Sequence, residues 1–163
     1  LTYEAIRDWL PIRKEFVETN NGKTEGNIIE SSIPVLGIPN LPAGLELWNG
    51  AKETLPNAIL CLNGLPKEID ENAGIIIFED QISNGKEILA KIKVLKNKNI
   101  NFKRVRIITT LAASPGLKLI GAENPDLTIY CACIDSELKN NEVILPGIGN
   151  PSLRLNTIIS SPN

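Results

Sequence analysis

The chain has no histidine among its 163 residues. That absence removes histidine triads, histidine general bases and most zinc sites at once. Aromatic residues are scarce as well, at 4%, so Ile, Leu and Val must fill most of the interior. Only three cysteines occur, Cys61, Cys131 and Cys133. They make no disulfide framework, and an intracellular, reducing location (cytoplasm or organelle stroma) is the expectation. No apolar run approaches the roughly 20 residues that a membrane span needs, and no signal peptide is visible. A formal net charge of −2 gives no general drive toward nucleic acid or a membrane surface. The first residue is Leu1 rather than Met, from which processing or truncation upstream is expected.

What is present reads as one soluble α/β domain over residues 1–163, with 42% apolar residues and alternating strand-like and helix-like segments. The spacing predicts a helix over Leu1–Leu10, stopped at Pro11. Two strands, Arg13–Glu18 and Thr24–Glu30, should form a hairpin around Asn20-Asn21-Gly22. A strand and a sharp loop are expected within Ile33–Leu45, then a helix over Ala43–Thr54 and a short strand at Ala58–Leu62. Arg104–Leu111 reads as a strand, with a Pro115-Gly116 break into a helix at Leu117–Glu123. Leu127–Ile134 reads as a long buried strand in which Cys131 and Cys133 share one face, as small hydrophobes in preference to a metal pair. A second hairpin is predicted over Asp135–Leu145 around Asn140-Asn141, followed by a turn-rich tail.

The segment Ile75–Leu89, IIIFEDQISNGKEIL, is the most telling. A β-branched run reads as a strand of a parallel sheet, closed by Glu79 and Asp80. A polar turn, Ser83-Asn84-Gly85-Lys86-Glu87, then leads into a helix carrying Ile88, Ile92 and Leu95 on one stripe. Such an arrangement can seat a phosphate at a helix N-terminus. A structural reading competes: Asn84 and Glu87 stand in capping-box spacing, with Asn84 as N-cap and Glu87 folding back onto it. Seven of the 17 basic residues lie in Lys91–Arg106, with no acidic residue among them. They read as a solvated face or a docking patch. Without aromatic interleaving they do not read as a nucleic-acid surface.

Taken together, these segments resemble the uracil phosphoribosyltransferase family over nearly the whole chain. The opening LTYEAIRDWLP is similar to the family's dimer-associated helix, and Ile38–Leu45, IPNLPAGL, to its first ligand loop, VPILRAGL. Glu79–Gly85 falls on its phosphoribosyl-pyrophosphate loop. Ala112–Pro125, the dipeptide Pro125-Asp126, and Tyr130–Asp135 match later segments. The most specific match is Leu145-Pro146-Gly147-Ile148-Gly149 against VPGLG in the uracil loop. The resemblance implies a type I phosphoribosyltransferase fold, a mainly parallel central sheet flanked by helices, with β-hairpin extensions. It also implies a homodimer, or a protein partner held through the N-terminal helix. The family's own N-terminal segment and flexible loop have no counterpart here.

The departures fall on the chemistry. Pro42 stands where the family carries an arginine that would meet pyrophosphate. Asn63-Gly64 replaces the segment with the flexible loop that covers substrate. Lys86 and Glu87 replace a glycine and a hydroxyl residue, and Glu87 would repel phosphate. The GDxGDR pattern appears as Gly149-Asn150-Pro151-Ser152-Leu153-Arg154, without either aspartate. Tyr130 and Ile144 are read as core residues. The expectation is a non-catalytic structural or regulatory subunit with vestigial phosphoribosyl and uracil loops, no metal site and no cofactor. Two alternatives stay open: a divergent active enzyme making UMP with Mg²⁺ through Glu79, Asp80, Lys86 and Arg154, and a sensor that binds uracil or a nucleotide without turnover.

Overall fold

The computed structural model describes residues 1–156 apart from Asp8, Pro11, Ser31 and Pro56. Its centre is the apolar run at Ile75. Because Ile75, Ile76, Ile77 and Phe78 are all buried, this strand is covered on both faces, the signature of a parallel sheet sandwiched by helices. It forms β5 (Gly74–Ile82), the middle of a five-stranded parallel sheet. Its neighbours are β3 (Val35–Pro39) and β4 (Ile59–Leu60) on one side, β6 (Val105–Ala113) and β7 (Thr128–Asp135) on the other. The order is β4-β3-β5-β6-β7, with Ile77 paired to Ile38 and Ile107. The type I phosphoribosyltransferase reading of the sheet holds.

Alternation along β5 divides the interior into two layers. Ile75 and Ile77 face α3 (Lys86–Asn97) and α4 (Ser114–Glu123), packing with Ile88, Ile92, Leu95 and Ile120. Ile76 and Phe78 face α1 (Thr2–Arg7) and α2 (Ala43–Ala51), against Ala5, Trp9 and Trp48. Trp48 meets Phe78 edge-on, with ring centroids 5.8 Å apart. Burying each of these aliphatic side chains contributes about 1.5–3 kcal/mol, so the sheet core is the main source of stability.

Several expectations need correction. The strand at Ile75 does not end at the acidic pair but runs on through Gln81 to Ile82. Pro115-Gly116 does not break the chain ahead of a helix. Both lie in the first turn of α4, where proline's missing N–H costs nothing. Strand β7 is not buried: it is the sheet edge, so Cys133 is exposed and Cys131 half-buried. The helical part of the N-terminus stops at Arg7, with Leu1 exposed while Ala5 and Trp9 are buried; the expected stop at Pro11 lies outside the described residues. A short helix α5 (Pro151–Asn156) occupies the tail that was read as turns. Both hairpins form as expected, β1 (Ile12–Thr19) with β2 (Gly22–Ile29) and β8 (Glu137–Lys139) with β9 (Val143–Leu145).

Candidate functional site

The strand order fixes where a ligand can enter. From β3 the chain goes outward to β4, then returns to β5 and moves the other way, so the direction reverses between β3 and β5. Open α/β sheets bind ligands at such a switch, beyond the carboxyl ends of the strands. A cleft of about 800 Å³ lies there. Residues 40–43 after β3, residues 79–88 from the end of β5 into α3, Glu142–Ile144 from the second hairpin, and Gly149–Pro151 line it.

Of the sequence-predicted site residues, the cleft therefore gathers Glu79, Asp80, Ser83, Asn84, Gly85, Lys86, Glu87, Gly149 and Asn150. Leu145, Pro146, Gly147, Ile148 and Arg154 are not part of its lining. They shape the loop behind it: the Gly147 N–H donates to Asp135 Oδ2 at 2.9 Å, and Arg154 Nη1 donates to the Ile148 carbonyl at 2.8 Å. Ile144 is a core residue as read, packed with Leu111 and Ala113. Asn40, Gln81 and Glu142 also line the cleft, and sequence reading did not single them out. Gln81 Nε2 donates to the Gly149 carbonyl at 3.0 Å, which ties the end of β5 to the C-terminal loop.

At the floor of the cleft, Glu79 is 2% exposed. Lys91 Nζ from α3 donates to its Oε2 at 3.0 Å and Asn40 Nδ2 to its Oε1 at 2.6 Å. Burial pushes the Glu79 carboxyl above its ordinary range, against the opposing pull of Lys91 and Asn40. The same Asn40 amide donates to Glu87 Oε2 at 3.2 Å. One side chain just after β3 thus holds a carboxylate of β5 and another of α3.

This geometry revises the capping reading. Gly85, at φ 79°, occupies the N-cap of α3, a left-handed conformation that favours glycine. Asn84 stands one residue earlier, where its Oδ1 accepts from the Lys86 N–H at 3.0 Å in an Asx turn. Its Nδ2 donates to the Asn141 carbonyl of the second hairpin at 2.9 Å. Glu87 turns to Asn40 rather than closing a box with Asn84. A carboxylate in the first turn still complements the helix macrodipole, the role an incoming anion would otherwise fill. Gly116 of α4 packs against the loop from behind: a Cβ there would stand 2.0 Å from the Ser83 carbonyl oxygen.

The family model described as uracil phosphoribosyltransferase matches residues 57–156. The chain belongs to the uracil phosphoribosyltransferase family. A uracil phosphoribosyltransferase of Synechococcus elongatus is 30% identical over 171 aligned positions, covering 95% of this chain and 79% of that protein. One from Nostoc is 31% identical with the same coverage. The solved structure of an Aquifex aeolicus protein superposes with a TM-score of 0.76 at 24% identity, over 96% of this chain and 80% of that one, and supports the fold.

Four carboxylates line the cleft, Glu79, Asp80, Glu87 and Glu142, with Lys86 the single cation among the described lining residues. Pro42 brings neither charge nor donor to the first loop. Magnesium, which the family's reaction implies, meets a poor donor set. Glu79 is committed to Lys91 and Asn40, and Asn150 and Leu153 stand in place of aspartates. Among the described residues no three Asp, Glu or Cys side chains come together to hold a metal ion.

Five of the seven basic residues in Lys91–Arg106 make contacts within the chain, while Lys93, Lys96 and Lys103 stay exposed. Lys91 holds Glu79, Lys98 Nζ donates to the carbonyls of Pro66 and Lys67, and Lys96 lies over the Phe102 ring. Arg104 donates to the Ala73 carbonyl, and Arg106 to those of Lys103 and Val105 while lying over Trp9. Among the described residues no helix is long and apolar enough to cross a membrane.

Proposed function

We propose that this chain is a phosphoribosyltransferase-fold subunit without transferase activity, kept for a structural or regulatory contact with another protein chain. The observation that carries this reading is the network in which Asn40 holds both Glu79 and Glu87 at the phosphate end of the cleft. A diphosphate group placed there would face Glu87 and Asp80 at close range, and such repulsion is strong where water is partly excluded. Removing one preorganised charge group often costs about 2.7–4 kcal/mol of transition-state stabilisation. Here arginine, hydroxyl and aspartate positions of the family pattern are all replaced, and no cofactor is required.

The contact surface on this reading is the N-terminal end. Tyr3 of α1 is 62% exposed and Phe16 of the first hairpin 73%. A two-stranded hairpin alone is marginal in water, and a second copy or a partner chain laid along it supplies the missing burial. Three free thiols fit a reducing, intracellular setting.

The test is pyrophosphate release from uracil and phosphoribosyl pyrophosphate with magnesium. None above the blank is expected, and clear uracil-dependent release would sink the reading in favour of a working enzyme. The persistence of an 800 Å³ cleft favours a second reading, a sensor that binds uracil or UMP without turnover. Calorimetry with each ligand separates the two, since the structural reading expects no heat of binding at millimolar concentration.

A further inference from the structure

A second, apolar groove of about 410 Å³ adjoins the cleft. Ile38, Cys61, Leu62, Leu65, Val94 and Leu95 form its walls, between the outer strands and α3. Burial holds the Cys61 thiol above its ordinary range, so it stays protonated and serves as an apolar wall. Leu41, Leu62 and Val94 at this groove are 52%, 48% and 51% exposed. Large apolar side chains gathered around a concavity are costly to leave in water and mark a binding surface.

Among the described residues two polar side chains line it, Asn40 and Lys91. Both also contact Glu79, so the polar end of the groove is the end that abuts the cleft. The Lys91 ammonium carries three donors. Glu79 takes one at 3.0 Å, and the Lys91 side chain remains 28% exposed.

We propose that this groove binds a small apolar carboxylate, a medium-chain or aryl acid. Its body lies on Leu62, Leu65 and Val94, and its carboxylate meets the remaining donors of Lys91. An amine of the same shape would be repelled by that ammonium, and a neutral alcohol would gain burial alone. Because Lys91 and Asn40 hold Glu79 from the groove side, such a ligand would be felt on the floor of the cleft. The inference stands whether or not the cleft has lost its chemistry.

The probe is octanoate, compared with octan-1-ol and octylamine, read by NMR of the Leu and Val methyl groups. Octanoate should shift the Leu62, Leu65 and Val94 signals saturably, octan-1-ol should bind about tenfold more weakly, and octylamine more weakly still. Val94→Asp, at a half-exposed position that keeps the fold, should abolish the octanoate response. Equal binding of octanoate and octan-1-ol would overturn the proposal, as would binding that survives Val94→Asp. Self-association with concentration that Val94→Asp removes would also overturn it, assigning the groove to a second copy.

Discussion

The two hairpins of this protein share antiparallel pairing and an asparagine-containing turn, and they differ in what holds them. The first pairs eight residues a side, from Ile12 with Ile29 to Thr19 with Gly22. Its Ile12 is 64% exposed and its Phe16 73%. The second pairs only three a side, but Ile144 is buried among Leu111, Ala113 and Leu138. The Asn84 amide also ties it to the turn between β5 and α3. A buried anchor, not the length of the ladder, separates the hairpin that walls the cleft from the one whose apolar side chains stay exposed. That follows because an isolated ladder gains little over its hydrogen bonds to water.

Replacing Ile144 by alanine would break the contrast most severely. A cost of about 2–4 kcal/mol is expected in urea unfolding, from lost burial and the cavity left behind; a loss under about 1 kcal/mol would mean the short hairpin has no anchor. The floor beneath that hairpin gives a pH signature. Burial raises the Glu79 carboxyl above its ordinary 4.5, so the folded chain holds this proton more firmly than the unfolded one. Stability from this group is complete below 4.5 and is lost as pH rises through the folded value. The melting temperature of Glu79→Gln, which cannot titrate there, should fall less than that of the parent between pH 4.5 and neutrality. Parallel profiles would show that the Lys91 pair outweighs burial.

Smaller effects sharpen the comparison. Asn84→Ala removes one bond to the Lys86 N–H and one to the Asn141 carbonyl, and about 1 kcal/mol of stability should go with them. Phe16→Ser should leave unfolding of the monomer within about 0.5 kcal/mol, while sedimentation shows weakened association. A loss as large as that of Ile144→Ala would place the arm against its own domain instead.

How much could be read beforehand follows the range of the interactions. Ile75–Phe78 was legible because four consecutive buried residues leave a pattern in the sequence itself. The extension to Ile82 was not, because Glu79 looks like an end. It is carried inside the sheet by Lys91, twelve residues on. Pro115 misled because proline both breaks helices and begins them. Three of the segments that the family resemblance named come together at one cleft. Asn40 was invisible because its role depends on partners 39 and 47 residues away. The exposure of Cys133 was missed because an apolar edge strand and an apolar central strand are spelled alike.

The shared amide of Asn40 couples two positions 47 residues apart. Since one donor group serves both Glu79 and Glu87, changes at positions 40 and 87 are not independent, and a double-mutant cycle between them should not close to zero. Replacing Glu87 alone would release half of that amide, and its effect would then be felt at Glu79 through the same side chain.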